Sequence, residues 1–463
     1  MHCRDSAKSG CAHRQSRPPT PRELSGTPGR RYGNHAHIRR YVLCRPRPVQ
    51  TEGGTVRTTT ASLDAPFLDV TDPKFRFDSP AVAEARELSW YAKTPLGLLV
   101  LRYAEAQGVL RDLRFAPSGE RYLALQGISE GPLYDWFVSI ILHRTGDDHL
   151  RLRRLVTKAF TPRMMEGFRP FMRDRASQLA ERIAARTSTT GECEFMDEFA
   201  DPLPVAVMCE LLGVPAEDYH LFRRWSTDVG LVFSFNLADV HTRAEAAVIG
   251  LYEYLDRLIA LRRAEPRDDL LSALIAAEET GDRLSTDELR NLAVALVFAA
   301  HDTTRNQLGH AMVAFAAHPD QWHLLGKRPE LATQAVEEVM RWAPTVPTTF
   351  RFALEDVQLN GVDLPAGSFV LVCAQAANRD PRVFPGGSRL DITRQLEAAH
   401  LTFGGGPHYC LGAATARTEI AAALSVLTSR FDPPSHAGPV AWRAPTGLYG
   451  PERLPLRFTV REK

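Results

Sequence analysis

Leu401-Thr402-Phe403-Gly404-Gly405-Gly406-Pro407-His408-Tyr409-Cys410-Leu411-Gly412 is the stretch on which the reading of this chain turns. Three consecutive glycines lack Cβ atoms, so the backbone can pass close to a flat object, and Pro407 stiffens the loop. A helical pattern begins directly after the cysteine and runs from Leu411 to Phe431. Cys410 therefore stands at a helix N-terminus, where unsatisfied N–H groups and the helix dipole favour a thiolate. Such a cysteine is an anion holder or a metal ligand. A phosphate loop would carry Lys and Ser/Thr after the last glycine, and a nucleophilic cysteine would need a base and an oxyanion site; neither is marked here. A purely structural cysteine has no use for the glycine run.

About a hundred residues upstream lies the longest helical pattern. It opens at a capping box, Ser285 with Glu288 three residues on, and continues to a stop near Pro319. At 1.5 Å per residue this is roughly 45–50 Å, long enough to cross the molecule. Leu292 to Ala300 is apolar on every face and so reads as buried. His301-Asp302-Thr303-Thr304-Arg305-Asn306 then interrupts it. A polar cluster midway along a buried helix costs free energy unless it is paired or lines a cavity that uses it. Both readings stand on this segment alone: a patch satisfied between helices, or a catalytic site at mid-helix.

Most of the remaining pattern is helical, with apolar residues three and four apart over Arg102–Asp112, His149–Phe160, Phe171–Arg186 and Ala244–Arg263. The clearest strand signal is a hairpin, Val357-Gln358-Leu359 and Val362-Asp363-Leu364 about Asn360-Gly361. The fold class is mainly α with a small antiparallel β region. Residues 56–463 contain no linker or repeat and read as a single domain. Residues 1–55 carry 11 of the 56 Lys/Arg but 3 of the 55 Asp/Glu, with much Pro and Gly and no apolar period. They read as a disordered basic extension or as an over-extended start, Glu52-Gly53-Gly54 being encodable by a ribosome-binding sequence just ahead of Val56. A net charge of +1 gives no general attraction to nucleic acid. No signal peptide and no apolar run of membrane length are present, and the seven cysteines form no C-x-x-C pair, so a cytoplasmic protein without disulfides or structural zinc is expected.

Phe403, Gly406, His408, Cys410 and Gly412 match the F-x-x-G-x-[HR]-x-C-x-G signature, and in this the chain resembles the cytochrome P450 family. The resemblance extends over essentially all of 56–463. Glu338-Val339-Met340-Arg341 resembles the family's E-x-x-R, with Arg394 at the position of a third partner. Asp148 to Arg154 looks like its heme-contacting helix. Asn378-Arg379-Asp380-Pro381 and Asp268 to Leu274 are phrases typical of soluble bacterial members.

The resemblance implies the cytochrome P450 fold, with the long central helix over heme b (iron protoporphyrin IX) and Cys410 as the metal ligand. It implies that His149, Arg153, Arg351 and His408 hydrogen-bond the heme carboxylates, and that Phe403, Gly404 and Ala299 also contact the cofactor. It assigns Asp302 and Thr303 to proton delivery at bound oxygen. The implied activity is monooxygenation, one atom of O2 entering a hydrophobic small molecule by hydroxylation or epoxidation. Electrons come from NAD(P)H through a separate ferredoxin and ferredoxin reductase, to which Arg151, Arg154 and Lys158 offer a basic face. A monomer bound to neither membrane nor nucleic acid is implied. The loop from Arg114 to Phe137, with Phe115, Tyr122, Trp136 and Phe137, and the stretch Trp225–Val240, with Phe233 and Phe235, are placed over the substrate pocket. One departure stands out: the family has Ala-Gly where this chain has Ala299-Ala300, with His301 in the variable slot. The added methyl keeps two alternatives open, a peroxide-driven or otherwise atypical reaction and a heme-thiolate binding or sensor protein.

Overall fold

The structure is a computed structural model that describes residues 65–160, 162–234, 237–279, 284–443 and 447–461. The expectation for residues 1–55 lies outside these. Nine helices matter for the site: α1 Tyr103–Arg111, α2 Gly146–Ala159, α3 Pro162–Thr190, α4 Pro202–Leu212, α5 Tyr219–Gly230, α6 Leu237–Ala264, α7 Thr286–Ala317, α8 Ala332–Trp342 and α9 Ala413–Arg430. The strands that matter are β1 Tyr91–Thr94, β2 Gly97–Val100, β3 Phe115–Ala116, β4 Thr348–Ala353, β5 Val357–Leu359, β6 Val362–Leu364, β7 Phe369–Cys373, β8 Ala441–Trp442 and β9 Pro451–Arg453.

α7 is the axis of the fold, and its ends are where the sequence puts them. The Ser285 hydroxyl accepts from the Glu288 N–H at 3.1 Å while the Glu288 carboxylate accepts from the Ser285 N–H at 2.7 Å, the reciprocal capping box. Leu289 to Phe298 sit in one hydrophobic cluster with α2, α4, α5 and α6. Leu308 to Phe315 sit in a second, with α3, α8 and α9. The polar residues lie between the two clusters. α3 begins earlier than the periodicity over Phe171–Arg186 predicts and carries Pro170 inside it. The lost N–H and ring clash are tolerated because the turns that follow bury Met172, Ala176, Leu179, Ala180 and Ile183 on one face.

The main sheet has the order β1-β2-β7-β4-β3, with β2 and β7 parallel and the other neighbours antiparallel. The hairpin β5–β6 pairs Leu359 with Val362 across Asn360 (φ +46°) and Gly361 (φ +82°), both left-handed as that two-residue turn demands.

The cysteine loop is anchored from behind by a buried ion pair. On α8, Arg341 and Glu338 are both fully buried and meet in two parallel bonds of 2.8 Å. The other Arg341 donors reach the carbonyls of Asn378, Gly387 and Arg389 at 2.8, 2.7 and 3.1 Å. Arg394 completes the expected triad, bonding Glu338 at 3.2 Å. Asn378 passes this order forward: its side chain accepts from the Leu401 N–H at 2.7 Å and donates to the Thr402 hydroxyl at 3.0 Å.

Two outcomes follow for stability. Arg341→Met leaves the buried Glu338 carboxylate with Arg394 as its remaining charge partner and three carbonyls without their donor, and is expected to cost about 3–5 kcal/mol in denaturant unfolding; a loss under about 1 kcal/mol would rule out Arg341 as the anchor. Glu419 on α9 is buried, its Oε1 has no hydrogen-bond partner among the described residues, and burial pushes its carboxyl up to about 8 from an ordinary 4.5. Below that ordinary value both folded and unfolded chains hold the proton. Between the two values only the unfolded chain ionises, so stability falls as pH rises through that window. Glu419→Gln is expected to melt like the wild type near pH 4 and above it near pH 8.

Candidate functional site

The loop 401–412 presents Cys410 just before α9, whose N-cap is Gly412. The Cys410 N–H donates to the Phe403 carbonyl at 3.0 Å, which closes the loop. Gly404 holds φ +73° and ψ −150°, a conformation essentially reserved for glycine. Gly405 and Gly406 have a different reason from the one the sequence suggests. A Cβ on Gly406 would lie 2.5 Å from the Leu110 carbonyl, and one on Gly405 3.3 Å from the Leu110 side chain, so these two let the loop pack on α1. On Gly412 an added Cβ would meet no atom within 4 Å.

The Cys410 side chain is exposed, while the surrounding protein desolvates its thiol enough to raise the pKa. The Gly412 N–H and the charges of Arg153 and Arg417 work the other way. The sulfur is thus open to a ligand although protein surrounds it. Nearby, Arg417 stacks on the Phe403 ring at 4.4 Å and pairs with Glu337 at 2.5 Å.

His149, Arg153, Arg351 and His408, named by the sequence from three separate segments, converge here. The His149 and His408 rings stack at 4.1 Å. Burial lowers the His149 pKa, and burial with the charges of His149, Arg351 and Arg153 pushes His408 down to about 3. Arg351 is 4% exposed and burial alone holds it down to about 10; its own bonds go to the Thr349 hydroxyl and the Phe350 carbonyl. Four basic groups, with no acid among the causes that shift His408 or Arg351, offer a receptor for anionic oxygens. The two carboxylates of heme fit that donor set, and the nearby Cys410 thiol fits its iron.

The polar interruption on α7 divides by face. Ala299 is exposed and Ala295, Leu296, Ala300 and Thr303 are half-buried, forming an open stripe at four-residue spacing. Thr303 donates to the Ala299 carbonyl at 2.8 Å. The other residues are turned away from that stripe and paired. Asp302 Oδ2 accepts from Arg443 at 2.7 Å, and its Oδ1 has no partner among the described residues. Gln307 donates to the Ala343 carbonyl at 2.9 Å, and His310 Nε2 lies 3.0 Å from the Tyr449 carbonyl. The reading of a patch satisfied between helices describes the inner face, and the open face is where the expected catalytic role would lie. Leu292 to Ala300 is correspondingly not buried on every side, because Ala299 looks into the open stripe.

Further corrections concern the surroundings. Phe115 pairs in β3 with Ala353 of β4 and packs in the cluster around the sheet, so it does not cap the pocket. Tyr122 does reach the site, its ring stacking on Phe350 at 4.8 Å, and Phe233 stacks on Phe298 of α7 at 5.4 Å. Trp136 is wholly buried; Phe235 lies outside the described residues. Arg151 is engaged by Glu288 of the capping box and by Asp148, while Arg153, Arg154 and Lys158 of α2 border a surface hollow of about 450 Å³. Arg153 thus serves both faces of a helix on which the sequence separated them.

Three residues were not singled out from sequence. His143 is buried with neither ring nitrogen partnered, its ring 4.2 Å from Phe137, and burial with the charges of His408 and Arg351 pushes it down to about 3. Asp201 and Arg443 contact the turn of α7 from 100 and 141 residues away in the chain. No local pattern marks such partners.

The family model described as Cytochrome P450 matches residues 126–325 and 325–437. Luteothin monooxygenase of Streptomyces thioluteus is 46% identical over 407 residues, covering 87% of this chain and 98% of its own. Mycinamicin IV hydroxylase/epoxidase of Micromonospora griseorubida is 40% identical over 365 residues, 77% of this chain and 88% of its own. The solved structure of cytochrome P450 CYP109Q5 from Chondromyces apiculatus superposes with a TM-score of 0.76 at 33% identity, over 86% of this chain and 99% of that one. Relatives named as monooxygenases and hydroxylases support turnover with O2 and give nothing to the sensor or peroxide-driven alternatives. On the extent of these matches, the chain belongs to the cytochrome P450 family and is a monooxygenase with a heme-thiolate centre.

Proposed function

We propose that this monooxygenase hydroxylates or epoxidises a hydrophobic secondary metabolite, and that Cys410 would supply the thiolate that holds the iron of heme b. His149, Arg153, Arg351 and His408 would hold the heme carboxylates, beside Phe403, Gly404 and Ala299. The observation that carries this reading is the convergence of an exposed Cys410 with four basic groups, of which His408 and Arg351 have no acid among the causes that shift them. Relatives named for luteothin, mycinamicin IV and 6-deoxyerythronolide B favour a secondary metabolite as substrate. The rings of Tyr122, Phe233, Phe298 and Phe350 favour an apolar one.

Bound heme supplies the redox iron at which O2 is activated. The chain does the rest. Cys410 gives up its proton on ligation, and the Gly412 N–H with the charges of Arg153 and Arg417 stabilises the sulfur anion. Thr303 Oγ, parked on the Ala299 carbonyl, exchanges that bond for one to the oxygen side and passes a proton there. Asp302 relays it through Oδ1, taking up a proton from solvent and handing it to Thr303, while Oδ2 stays on Arg443. Electrons arrive from a ferredoxin and its reductase at the hollow bordered by Arg153, Arg154 and Lys158, whose charge suits an acidic carrier. Among the described residues no helix is long and apolar enough to cross a membrane, and a cytoplasmic monomer completes the proposal.

Reduced protein exposed to carbon monoxide is expected to show the red-shifted Soret band of a thiolate-ligated heme, and Cys410→Ala to lose it. Retention of the band by the variant sinks the ligand assignment. Thr303→Ala removes one hydroxyl from an open face and is expected to fold normally while releasing about tenfold more hydrogen peroxide per NAD(P)H consumed, at the scale of one proton-transfer group. An unchanged peroxide yield takes Thr303 out of the proton path.

A further inference from the structure

The residue in the variable slot, His301, is fully buried and faces away from the open stripe of α7. Its Nε2 lies 2.7 Å from Asp201 Oδ1, at the N-cap of α4, and its Nδ1 lies 2.9 Å from Ser226 Oγ, on α5. One imidazole thus joins three helices at the turn that carries Asp302 and Thr303. Neither partner needs it for satisfaction. Asp201 is already bound by Arg223 and, at 3.3 Å, by Arg305, with Asp197 of the same segment holding the far side of Arg223. Burial works to raise the Asp201 carboxyl, and the His301 bond with these charges overrides it and holds the group at about 2. The Ser226 hydroxyl has its own acceptor in the Val297 carbonyl at 3.2 Å. What His301 adds is a fixed distance between helices.

That distance bears on the site because of what lies one turn further along α5. Gly230, four residues after Ser226 and so on the same face, sits against Asp302: a Cβ there would be 3.3 Å from Asp302 Oδ2 and 3.3 Å from the Phe298 ring. A small slide of α5 would change the room around the carboxylate and around Phe298, whose other neighbour is Phe233 at the end of α5.

We propose that His301 is a positioning residue that, through Ser226, sets how closely the C-terminal end of α5 covers Asp302 and the adjoining pocket. This rests on the assignment of Asp302 and Thr303 to the oxygen side of the site. It gives the slot before the acid a job that a merely space-filling residue would not do. An apolar residue of similar size fills the volume and leaves α5 untied. Glutamine keeps the tie, since its amide can donate to Asp201 and accept from the Ser226 hydroxyl once that turns from the Val297 carbonyl.

The test uses heme-loaded protein carrying His301→Leu, His301→Gln or Ser226→Ala, with 4-phenylimidazole as an iron-binding probe of the space on the substrate side. Its dissociation constant is read from the Soret shift, and amide exchange of 219–230 and the melting temperature are measured beside it. His301→Leu and Ser226→Ala are expected to speed α5 exchange and to change azole affinity by about fivefold, the worth of one net hydrogen bond. His301→Gln should stay near the wild type in both. Three results overturn the proposal: azole affinity unchanged in both severing variants even if α5 exchanges faster, glutamine no better than leucine, or a lowered melting temperature as the sole effect. Azole affinity and α5 exchange do not depend on proton delivery, so a silent Thr303→Ala would discredit the oxygen-side assignment without touching these readouts.

Discussion

The guanidinium of Arg341 is the constraint on which the heme-thiolate centre depends. A buried charge is tolerated when every donor has an acceptor, and here the Glu338 carboxylate and three backbone carbonyls meet that condition. Those carbonyls belong to chain that has no regular secondary structure between 378 and 400. Arg341 substitutes for the ladder that such a segment lacks. Because Asn378 is held by its carbonyl and itself holds Leu401 and Thr402, the order reaches the cysteine loop in two steps. Replacing the pair by apolar groups could match its energy but would leave three carbonyls without donors.

How much of this was legible depends on whether the physics is local. The capping box, the Asn-Gly hairpin, the glycine at φ +73° and the three-residue spacing of Glu338 and Arg341 act within a few residues, and each stands as the sequence has it. Gly405 and Gly406 show the limit. Their need for a missing Cβ was visible, but the object they approach is α1, and only the packed chain reveals it. Phe115 was misplaced for a similar reason: two residues of strand in a polar neighbourhood carry too little period to be told from a pocket loop. Asp201, Arg443 and His143 were out of reach, since a carboxylate or imidazole shows its partner only when distant segments meet.

The basic receptor and the polar turn of α7 solve opposite electrostatic problems with the same residue types. Around His408 and Arg351 the protein gathers nitrogen donors without an opposing acid, an arrangement suited to the anionic oxygens that the proposed heme carboxylates would bring. Around Asp201 and Asp302 it matches anions with Arg223, Arg305 and Arg443, so nothing further is required to stabilise them. The first arrangement selects a ligand. The second fixes geometry, and its rigidity frees the adjoining stripe to remain open.

This division bears on the departure at Ala300. A methyl at that position lies on the half-buried edge of the open stripe and packs against the cluster formed with α5 and α6. The paired face behind it is held by side chains at 301, 302, 305 and 307, so the helix does not need glycine's freedom there to bring its polar turn into place. Alanine also carries the lower conformational cost in a helix interior. In this chain the shape of the open stripe is therefore set less by local backbone freedom at 300 than by the elements that clamp α7 from outside. These are α4 and α5 through His301, and the segment around β8 and β9, where Arg443 grips Asp302 and Gly450 abuts Asn306.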